Sequence, residues 1–448
     1  MIQPENKQTV MGWLKESVTV KLIFIGMLTI VLLIPSVMIG DLIKERAGRQ
    51  AEMIAKVTDQ WSGSQMIKGP VLVIPYKRMQ NFSADSKETP KEIIENLYVL
   101  PDNLKISASV NSDVLHRGIF DAVVYNTIIK VSGNFSKANL AALALSPEQL
   151  MPGKAKLIFG ISDLKGLKNN PVINAGGQLL SVEPAYDGHA LFDNGLQTAI
   201  NLTPFKDGAF KFKYTLDLKG SQELHFLHLG KTTDVQVSGN WPGPSFDGRY
   251  LPDTRKVDKN GFSARWHMLY YNRPYPQQWV ADDTLLNNNK KAEDASFGVK
   301  LLLPVDQYQK ITRTSKYAIL IILLTFVSLF LTEVIQKKRI HVFNYILIGA
   351  AMIIYYTLLL SFSEQVGYNW AYVIASVATI GLITTFIASL LKNTKAAMLF
   401  AFILSVFYTF IFVIIQLEDM ALLIGSVALF IITGVLMYFS RKINWDNH

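Results

Sequence analysis

Three carboxylates stand beside long apolar runs in the last third of the chain, where a buried acid could relay protons or ions. Glu364 lies in LLLSFSEQVGYNWAYV (358–373), between two runs without other charges. Glu418 and Asp419 occupy the same position between two later runs. Acids within a membrane bundle usually face its interior and serve ion pathways, whereas acids at headgroup depth cost little. The pattern favours the interfacial interpretation and leaves a functional carboxylate open.

The other reactive residue types lack the partners that catalysis requires. His225 and His228 in HFLH have the most metal-like spacing, but in a strand they point to opposite faces, and no third zinc ligand is evident. WSGSQ (61–65) lacks the G-x-S-x-G elbow of a nucleophilic serine, and we interpret its Gly63 as a helix cap. The chain contains no cysteine, which excludes disulfides and thiolate sites. We therefore predict no catalytic residue, no metal, no cofactor and no enzymatic activity.

Two short stretches concentrate aromatic, proline and arginine residues: NWPGPSFDGRYLP (240–252) and YNRPYPQQW (271–279). They could line a groove for a peptide or glycan. The alternative is a pair of rigid turns whose aromatic side chains plug the space under a sheet. The candidate binding residues in these stretches are Trp241, Pro244, Phe246, Gly248 and Arg273.

The composition indicates a membrane protein with one large water-exposed part. Half of the 448 residues are hydrophobic and only 18% are charged, where about a quarter is usual for a soluble domain. The mean hydropathy of +0.23 comes from the two ends, since residues 41–316 resemble soluble sequence. The net charge is +9, but the basic residues form no block with interleaved aromatic residues. Nucleic acid is therefore not an expected partner.

Six apolar runs are long enough to cross a bilayer, which needs roughly 20 residues in a helix. They are residues 22–40, 317–335, 342–362, 368–391, 396–417 and 420–440. The short links after the second run alternate in charge: QKKRIH is basic, SEQVG acidic, KNTK basic and EDM acidic. Because basic loops stay in the cytoplasm, this alternation predicts that both termini are cytoplasmic and that residues 41–316 are periplasmic.

The intervening segment has the alternating pattern of β-strands. GAFKFKYTLDLKG (208–220) is the clearest strand, with aromatic and leucine side chains on one face and lysines on the other. A helix over 41–61 is expected to continue the first span, and SKANLAALALSPEQL (136–150) predicts a short helix. Other strands are predicted at 69–76, 104–111, 126–135, 155–162, 233–241 and 297–304.

The predicted fold class is a membrane protein with one N-terminal transmembrane helix, a large β-rich, sandwich-like periplasmic domain and five C-terminal transmembrane helices. The predicted domains are a cytoplasmic N-terminus with the anchor (1–40), the periplasmic domain with helical stems (41–316), the five-helix bundle (317–440) and a cytoplasmic tail (441–448).

Several motifs, in order from about residue 59 to 445, resemble the CreD family of bacterial inner-membrane proteins. They include DQWSGSQMIKGPVLVIPY, HRGIFDAVVY, SGNWPGPSFDGRYLP, HVFNYILIG and LEDMALLIGSVALFIITGVLMYFSRKINW. Arg117, in the second of these, joins the candidate functional residues. The carboxylates and the four candidate residues of 240–252 match the family pattern, whereas its histidines are not carried over.

The resemblance implies an inner-membrane protein that supports cell-envelope integrity or an envelope-stress response. The expected partners are membrane lipids, envelope proteins or cell-wall components. The alternative is a transporter or lipid-handling protein that uses Glu364, Glu418 and Asp419 as a relay.

Overall fold

The chain folds as two units. One, the helical unit, comprises Met1–Ala51 and Val305–His448, and the other, the β unit, comprises Glu52–Pro304. The structure is a computed structural model that describes residues 18–80, 91–185, 191–205, 208–287, 289–303, 307–336, 338, 340–417 and 420–440. The β unit is thus an insertion between the first helix and the later apolar helices of the chain.

Apolar helices dominate the helical unit. The α-helices among the described residues are α1 (Val18–Trp61), α2 (Asn289–Ala295), α3 (Gln307–Lys316), α4 (Ala318–Gln336), α5 (Val342–Val366), α6 (Tyr368–Leu391), α7 (Thr394–Gln416) and α8 (Ala421–Ser440). Helix α1 continues without a break from the predicted first span into the predicted stem, so it belongs to both units. Ala371, Ala375 and Thr379 lie four residues apart on α6 and are buried, as small residues at a close helix contact are.

Five helices among the described residues are long and apolar enough to cross a membrane: α1, α4, α5, α6 and α7. Helix α8 contains a shorter apolar stretch, Leu423–Gly434. A membrane protein with several apolar helices and a large β-rich region is therefore confirmed, and the count of six spans stays a prediction.

The described residues of the β unit form two sheets. The strands are β1 (Gln65–Gln80), β2 (Lys91–Val99), β3 (Asn103–Arg117), β4 (Phe120–Phe135), β5 (Ala155–Ile161), β6 (Val172–Ala175), β7 (Gln178–Ser181), β8 (Glu183–Pro184), β9 (Gly195–Ile200), β10 (Phe210–Ser221), β11 (Glu223–Leu227), β12 (Thr232–Gly239), β13 (Pro244–Gly248), β14 (Thr254–Asp258), β15 (Gly261–Leu269), β16 (Gln278–Val280) and β17 (Ser296–Leu301).

Nine strands form one sheet in the order β13-β17-β11-β1-β5-β9-β8, with β2 paired to β1 and β16 to β2. Eight strands form the other in the order β14-β15-β12-β3-β4-β10-β6-β7. Most pairs are antiparallel, but β1 and β11 run parallel, as do β3 and β12. Parallel neighbours need long connections, so each sheet is assembled from segments distant in sequence.

The two sheets share one hydrophobic core, to which alternate residues of strands such as β3, β10 and β12 contribute. On β10, Phe212 and Tyr214 are buried while Lys211 and Lys213 are exposed, because successive side chains point to opposite faces. The ring of Tyr214 stacks on Phe159 of the nine-stranded sheet at a centroid distance of 4.9 Å. The sheets therefore face each other as a sandwich.

A second core covers the other face of the nine-stranded sheet. Val71 and Val73 of β1 pack there with Tyr98, Tyr275 and Trp279, and the rings of Tyr98 and Trp279 stack 5.2 Å apart. The segment around residues 270–287 supplies much of this cover. The sheet is thus buried on both faces, which explains why β1 reads as a continuous apolar run rather than an alternating one.

All seven segments predicted as strands overlap observed strands, which confirms the β texture. The helix predicted over 136–150 is wrong. That segment forms two single 3₁₀ turns, Ala141–Leu143 and Pro147–Gln149. Pro147 disfavours the helical conformation at the residue before it, and Ser146 is extended with ψ 154°. The leucines of residues 136–150 pack against the core, although the backbone of this segment is irregular.

Candidate functional site

Glu364 lies in the last turn of α5, where the chain turns back into α6 through a single residue, Gly367. Gly367 has φ 77°, a conformation that glycine adopts without strain, and its N–H donates to the carbonyl of Ser363 over 3.0 Å. This turn fixes the position of the carboxylate relative to the first residues of α6.

Two side chains from other helices approach the Glu364 carboxylate. The hydroxyl of Tyr308 on α3 donates to Oε1 over 3.0 Å, and Nη1 of Arg46 on α1 lies 3.9 Å from Oε2. Only 12% of the Glu364 side chain is exposed, and Tyr308 is buried. The structure therefore gives Glu364 a hydrogen-bond donor and a cation, so the carboxylate ties three helices together.

A layer of further polar contacts surrounds Glu364 at the same end of the helices. Thr314 and Tyr368 share a hydrogen bond of 2.8 Å, and Nε2 of Gln416 donates to Oδ1 of Asn369 over 2.6 Å. Lys310 donates to Oε1 of Gln416 over 2.9 Å and also lies over the ring of Tyr368. We call these residues the hairpin cluster: Arg46, Tyr308, Lys310, Thr314, Glu364, Tyr368, Asn369 and Gln416.

Buried tyrosines continue from the hairpin cluster into the helices. Tyr355 packs its ring edge-on against Tyr356 and Tyr408, at centroid distances of 4.9 and 5.0 Å. The hydroxyl of Tyr372 donates to the carbonyl of Tyr408 over 2.7 Å. The hydroxyls of Tyr356 and Tyr408 are buried without a hydrogen-bond partner among the described residues. Such groups are costly to bury, so this interior is suited to water or a polar ligand.

Sequence reasoning missed a second buried charge pair, Lys21 on α1 with Glu333 on α4. The ammonium of Lys21 contacts Oε1 of Glu333 and also donates to the carbonyl of Ile340 over 2.9 Å. The hydroxyl of Tyr345 donates to Oε2 of Glu333 over 3.0 Å. Glu333 lies within the predicted span 317–335, and a single acid inside such an apolar run is itself a signal of a functional or paired group.

Glu418 and Asp419, which were predicted to share the role of Glu364, lie outside the described residues. Trp370, six residues after Glu364, is 69% exposed and so lies on the surface of the helical unit.

In the β unit, three of the candidate residues in 240–252 lie on β13 at the edge of the nine-stranded sheet. Pro244, Phe246 and Gly248 pair with β17, and the ring of Phe246 packs edge-on against Phe262 and Trp266. Trp241, just before the strand, is buried and donates its Nε1–H to the carbonyl of Leu302 over 3.0 Å. These aromatic side chains are core residues that fasten the edge strand.

Gly248 ends β13 with φ 93°. A Cβ atom there would overlap the carbonyl oxygen of Ser296 and lie 2.7 Å from Cα of Phe297. Both the left-handed backbone and the close approach of β17 require glycine at this position.

Arg273 is buried in the loop that covers the nine-stranded sheet. Its guanidinium donates to the carbonyls of Tyr275 and Leu229 and, over 3.0 Å, to Oε1 of Gln277. Burial lowers the pKa of Arg273 to about 10, since desolvation disfavours its charge. The amide of Gln277 in turn donates to the carbonyl of Leu100 over 2.6 Å. Arg273 thus satisfies backbone carbonyls and holds the loop closed.

The two aromatic stretches do come together. The hydroxyl of Tyr250 donates to the carbonyl of Asn272 over 2.7 Å, and Nε1 of Trp266 donates to the carbonyl of Tyr250. Of the two interpretations left open for them, the geometry favours rigid turns with aromatic plugs. Arg117, at the tip of the β3–β4 hairpin, donates to Oε1 of Gln60 over 2.7 Å and so fastens the hairpin to α1.

The histidines lie in separate surroundings. Nε2 of His225 is 2.8 Å from Oδ1 of Asp247, and Nζ of Lys300 bridges Asp247 and Glu223 at 2.9 and 3.1 Å. Burial tends to raise the pKa of Asp247, but hydrogen bonds from Lys300 and His225 hold it below its usual range. His228 is fully buried, and desolvation, with a smaller effect of Arg273, lowers its pKa to about 4. Within the described ranges, no group of three or more His, Cys, Asp or Glu could hold a metal ion.

These features define the class: a membrane protein whose apolar helices carry a large inserted β-sandwich. The family model described as "Inner membrane protein CreD" matches residues 17–446, and the chain therefore belongs to that family. The resemblance that the motifs indicated is confirmed.

A curated relative and one solved structure complete the comparison. Inner membrane protein CreD of Escherichia coli (strain K12) is 27% identical over 418 residues, which cover 93% of this chain and 91% of the relative. An M1 zinc metallopeptidase from Deinococcus radiodurans aligns with a TM-score of 0.20 and 9% identity, over 49% of this chain and 53% of that chain. Likeness at that level carries no argument about fold or activity.

Proposed function

We propose that this inner-membrane protein supports cell-envelope integrity without catalysing a reaction. The helical unit anchors the chain in the bilayer, and the β unit contacts envelope proteins, cell-wall components or lipid headgroups. The observation that carries the proposal is the insertion itself: a sandwich of two sheets lies between α1 and α3 in the chain, joined at both ends to helices of a membrane protein.

In this proposal residues 41–316 face the periplasm and both termini face the cytoplasm. The alternation of basic and acidic links supports this orientation, because short basic links resist translocation. A periplasmic position would put the β unit beside the cell wall, where an envelope-supporting protein has to act.

The absence of cysteine permits a direct test of orientation, because any introduced thiol is unique. Lys259 is exposed in the turn between β14 and β15, and Lys395 is exposed at the start of α7. In intact cells whose outer membrane has been opened, a membrane-impermeant maleimide should label Lys259→Cys but not Lys395→Cys. Lys395→Cys should be labelled only after the inner membrane is permeabilised. The reverse pattern would contradict the proposed orientation.

The envelope role is tested in cells that lack the chain. Such cells should become more sensitive to detergents and to large antibiotics that an intact envelope excludes, and the full chain should restore resistance. The control is a chain carrying Lys259→Cys, which should restore resistance equally. Deletion cells with unchanged sensitivity under envelope stress would sink the proposed role.

A second function, transport or lipid handling that uses Glu364, is favoured by the buried tyrosine hydroxyls beneath the hairpin cluster. It requires that Glu364→Gln abolishes function while the chain still inserts into the membrane. The matched control is Asp41→Asn, since the Asp41 side chain on α1 is 67% exposed. A Glu364→Gln chain that restores envelope resistance fully would remove this second function.

A further inference from the structure

An open groove of about 890 Å³ lies at the eight-stranded sheet, and the exposed lysines that line it are on the sheet face opposite the shared core. Strands β3, β4 and β10 form its floor, and the β6–β7 hairpin forms one side. This hairpin turns through Gly176 and Gly177, both with positive φ, and the N–H of Gly176 donates to the carbonyl of Lys211 over 2.8 Å. The two-glycine turn holds the hairpin against β10.

Three lysines stand together on the floor of the groove. Lys105 on β3 and Lys213 on β10 both lie beside Ser132 on β4, so their Cα atoms are about 10 Å apart. Lys211 precedes Lys213 by two residues and therefore points to the same face, about 7 Å away. All three side chains are exposed. Flexible lysine side chains at these spacings can converge on one anionic group or contact successive ones.

The positive charge of the groove is not neutralised by the described residues around it. No acidic residue is among the described residues that line it, and none of the three lysines forms an ion pair within the described ranges. Asp234 lies beside Lys105 on the neighbouring strand β12, but it contacts His267 at 2.8 Å and Arg265 at 3.6 Å. The groove is therefore complementary to an anion.

Amide and aromatic side chains complete the lining. Asn103 and Asn134 hydrogen-bond to each other over 2.9 Å, and Asn174 lies beside Lys213 on β6. Such groups present both donors and acceptors, as sugar hydroxyls require. The half-buried ring of Phe205 packs against Gly176, where a Cβ atom would overlap it, and it supplies a flat apolar surface at the side of the groove.

We propose that this groove binds an acidic glycan, a saccharide chain bearing carboxylate groups. The lysines hold the carboxylates, the asparagine amides and Ser132 meet the hydroxyls, and the ring of Phe205 packs against a sugar face. An open groove along the sheet suits an extended chain better than a compact metabolite. This proposal deepens the envelope function and rests on it for the source of the glycan.

The test measures binding of fluorescent oligogalacturonate to the full chain in nanodiscs of phosphatidylcholine, which carries no net charge. Wild type should bind oligogalacturonate and not a neutral maltodextrin of equal length. Replacing Lys105, Lys211 and Lys213 together by Gln should weaken binding at least about tenfold, and raising the salt concentration should weaken wild-type binding. Absence of wild-type binding would overturn the proposal.

The matched control replaces three exposed lysines elsewhere in the β unit, Lys91, Lys154 and Lys259, by Gln. It should leave the affinity within about twofold, since the net charge changes equally but the groove does not. Equal loss in both triple variants would show that diffuse charge, not the groove, binds the probe, and would overturn the site. Both variants should melt at the wild-type temperature.

Polyglutamate distinguishes a saccharide site from a general anion site. The wild type should bind it at least about tenfold more weakly than oligogalacturonate, and Phe205→Leu should weaken only the saccharide. Equal affinities, unaltered by Phe205→Leu, would overturn the saccharide assignment. The envelope resistance of deletion cells tests the proposed function separately. If those cells keep normal resistance while the protein binds the glycan, the proposed function is wrong and the binding site is still supported.

Discussion

The phenol of Tyr308 donates a hydrogen bond to Oε1 of Glu364 over 3.0 Å, which joins the short helix α3 to the last turn of α5. Residue 308 follows the β unit, and residue 364 stands at the hairpin between two long apolar helices. This contact gives the Glu364 carboxylate a defined partner, and it makes Glu364 a structural as well as a candidate functional residue.

Tyr308→Phe should destabilise the helical unit because it removes a donor from a largely buried carboxylate. We expect a loss of about 1–2 kcal/mol, seen as a lower melting temperature of the full chain in detergent. Tyr317→Phe, at a half-buried tyrosine of the same unit, is the control and should melt as wild type. Identical melting of the two variants would mean that the Tyr308 contact contributes nothing.

Removing one partner of the Lys21–Glu333 pair should lower the free energy of unfolding substantially, and removing both charges should lower it less. Glu333→Leu leaves the Lys21 ammonium among apolar helices without its counter-ion, and a loss of about 3 kcal/mol is expected. Adding Lys21→Met to that variant should restore part of the loss, because no buried charge is left unpaired. The measurement is a double-mutant cycle on the melting temperature in detergent.

The control for this cycle is the exposed pair Asp41–Lys44 on α1, whose side chains are 67% and 77% exposed. Replacing either partner should leave the melting temperature unchanged, as for most surface pairs. If both cycles behave alike, the buried pair has no special role in holding α1 to α4.

Acid should weaken the β unit through His228. Desolvation lowers its pKa to about 4, below the value of about 6.5 in an unfolded chain. Between those two pKa values the unfolded state therefore binds more protons than the folded state. The stability that comes from keeping His228 neutral in the fold is present above about pH 6.5 and is lost as the pH falls towards 4. The loss should reach up to about 3 kcal/mol.

His228→Leu should flatten this acid dependence, measured by tryptophan fluorescence during thermal unfolding between about pH 7 and about pH 4.5. His267→Gln is the control, because the His267 side chain is 52% exposed and its variant should keep the wild-type dependence. A His228→Leu profile that still falls as steeply as wild type would place the acid sensitivity elsewhere.

Gly248→Ala should destabilise the β unit by roughly 2–4 kcal/mol, because alanine fits neither the φ of 93° nor the space beside Ser296 and Phe297. Gly243→Ala, earlier in the same candidate stretch, has nothing within 4 Å of its Cβ and should be neutral. Circular dichroism melting of the two variants decides whether Gly248 has a backbone role.

Sequence patterns predicted the secondary-structure elements better than the tertiary contacts between those elements. The alternation along β10 predicted which of its faces is buried, since period-two burial is a local property. Local pattern could not reveal that the loop around Arg273 covers the second face of the nine-stranded sheet, because that contact joins segments far apart in the chain. The leucines of 136–150 have helical spacing, yet they pack from an irregular segment that Pro147 interrupts.

In the candidate site, too, the sequence indicated individual residues but not their tertiary contacts. Glu364 was recognisable as an isolated acid, whereas its contacts with Tyr308 and Arg46 depend on tertiary packing. Glu333, Tyr355 and Tyr356 are polar residues within apolar runs, so the sequence does indicate them. Identifying spans by length and hydropathy alone ignores such residues. For Trp241 the sequence left a ligand groove and an aromatic plug both open, and only the fold shows that its side chain is buried in the core.

The parallel pairing of β1 with β11 has a consequence for how the protein is made. Gln65, at the start of β1, lies beside Leu224 of β11, which in turn lies beside Val299 of β17. A ribosome must therefore extend the chain beyond the last strand before the central ladder of this sheet can close. Until β11 is made, residues 65–67 at the start of β1 have an open edge, exposed to neighbouring nascent chains. Biogenesis of this protein should accordingly depend on factors that shield an unfinished sheet.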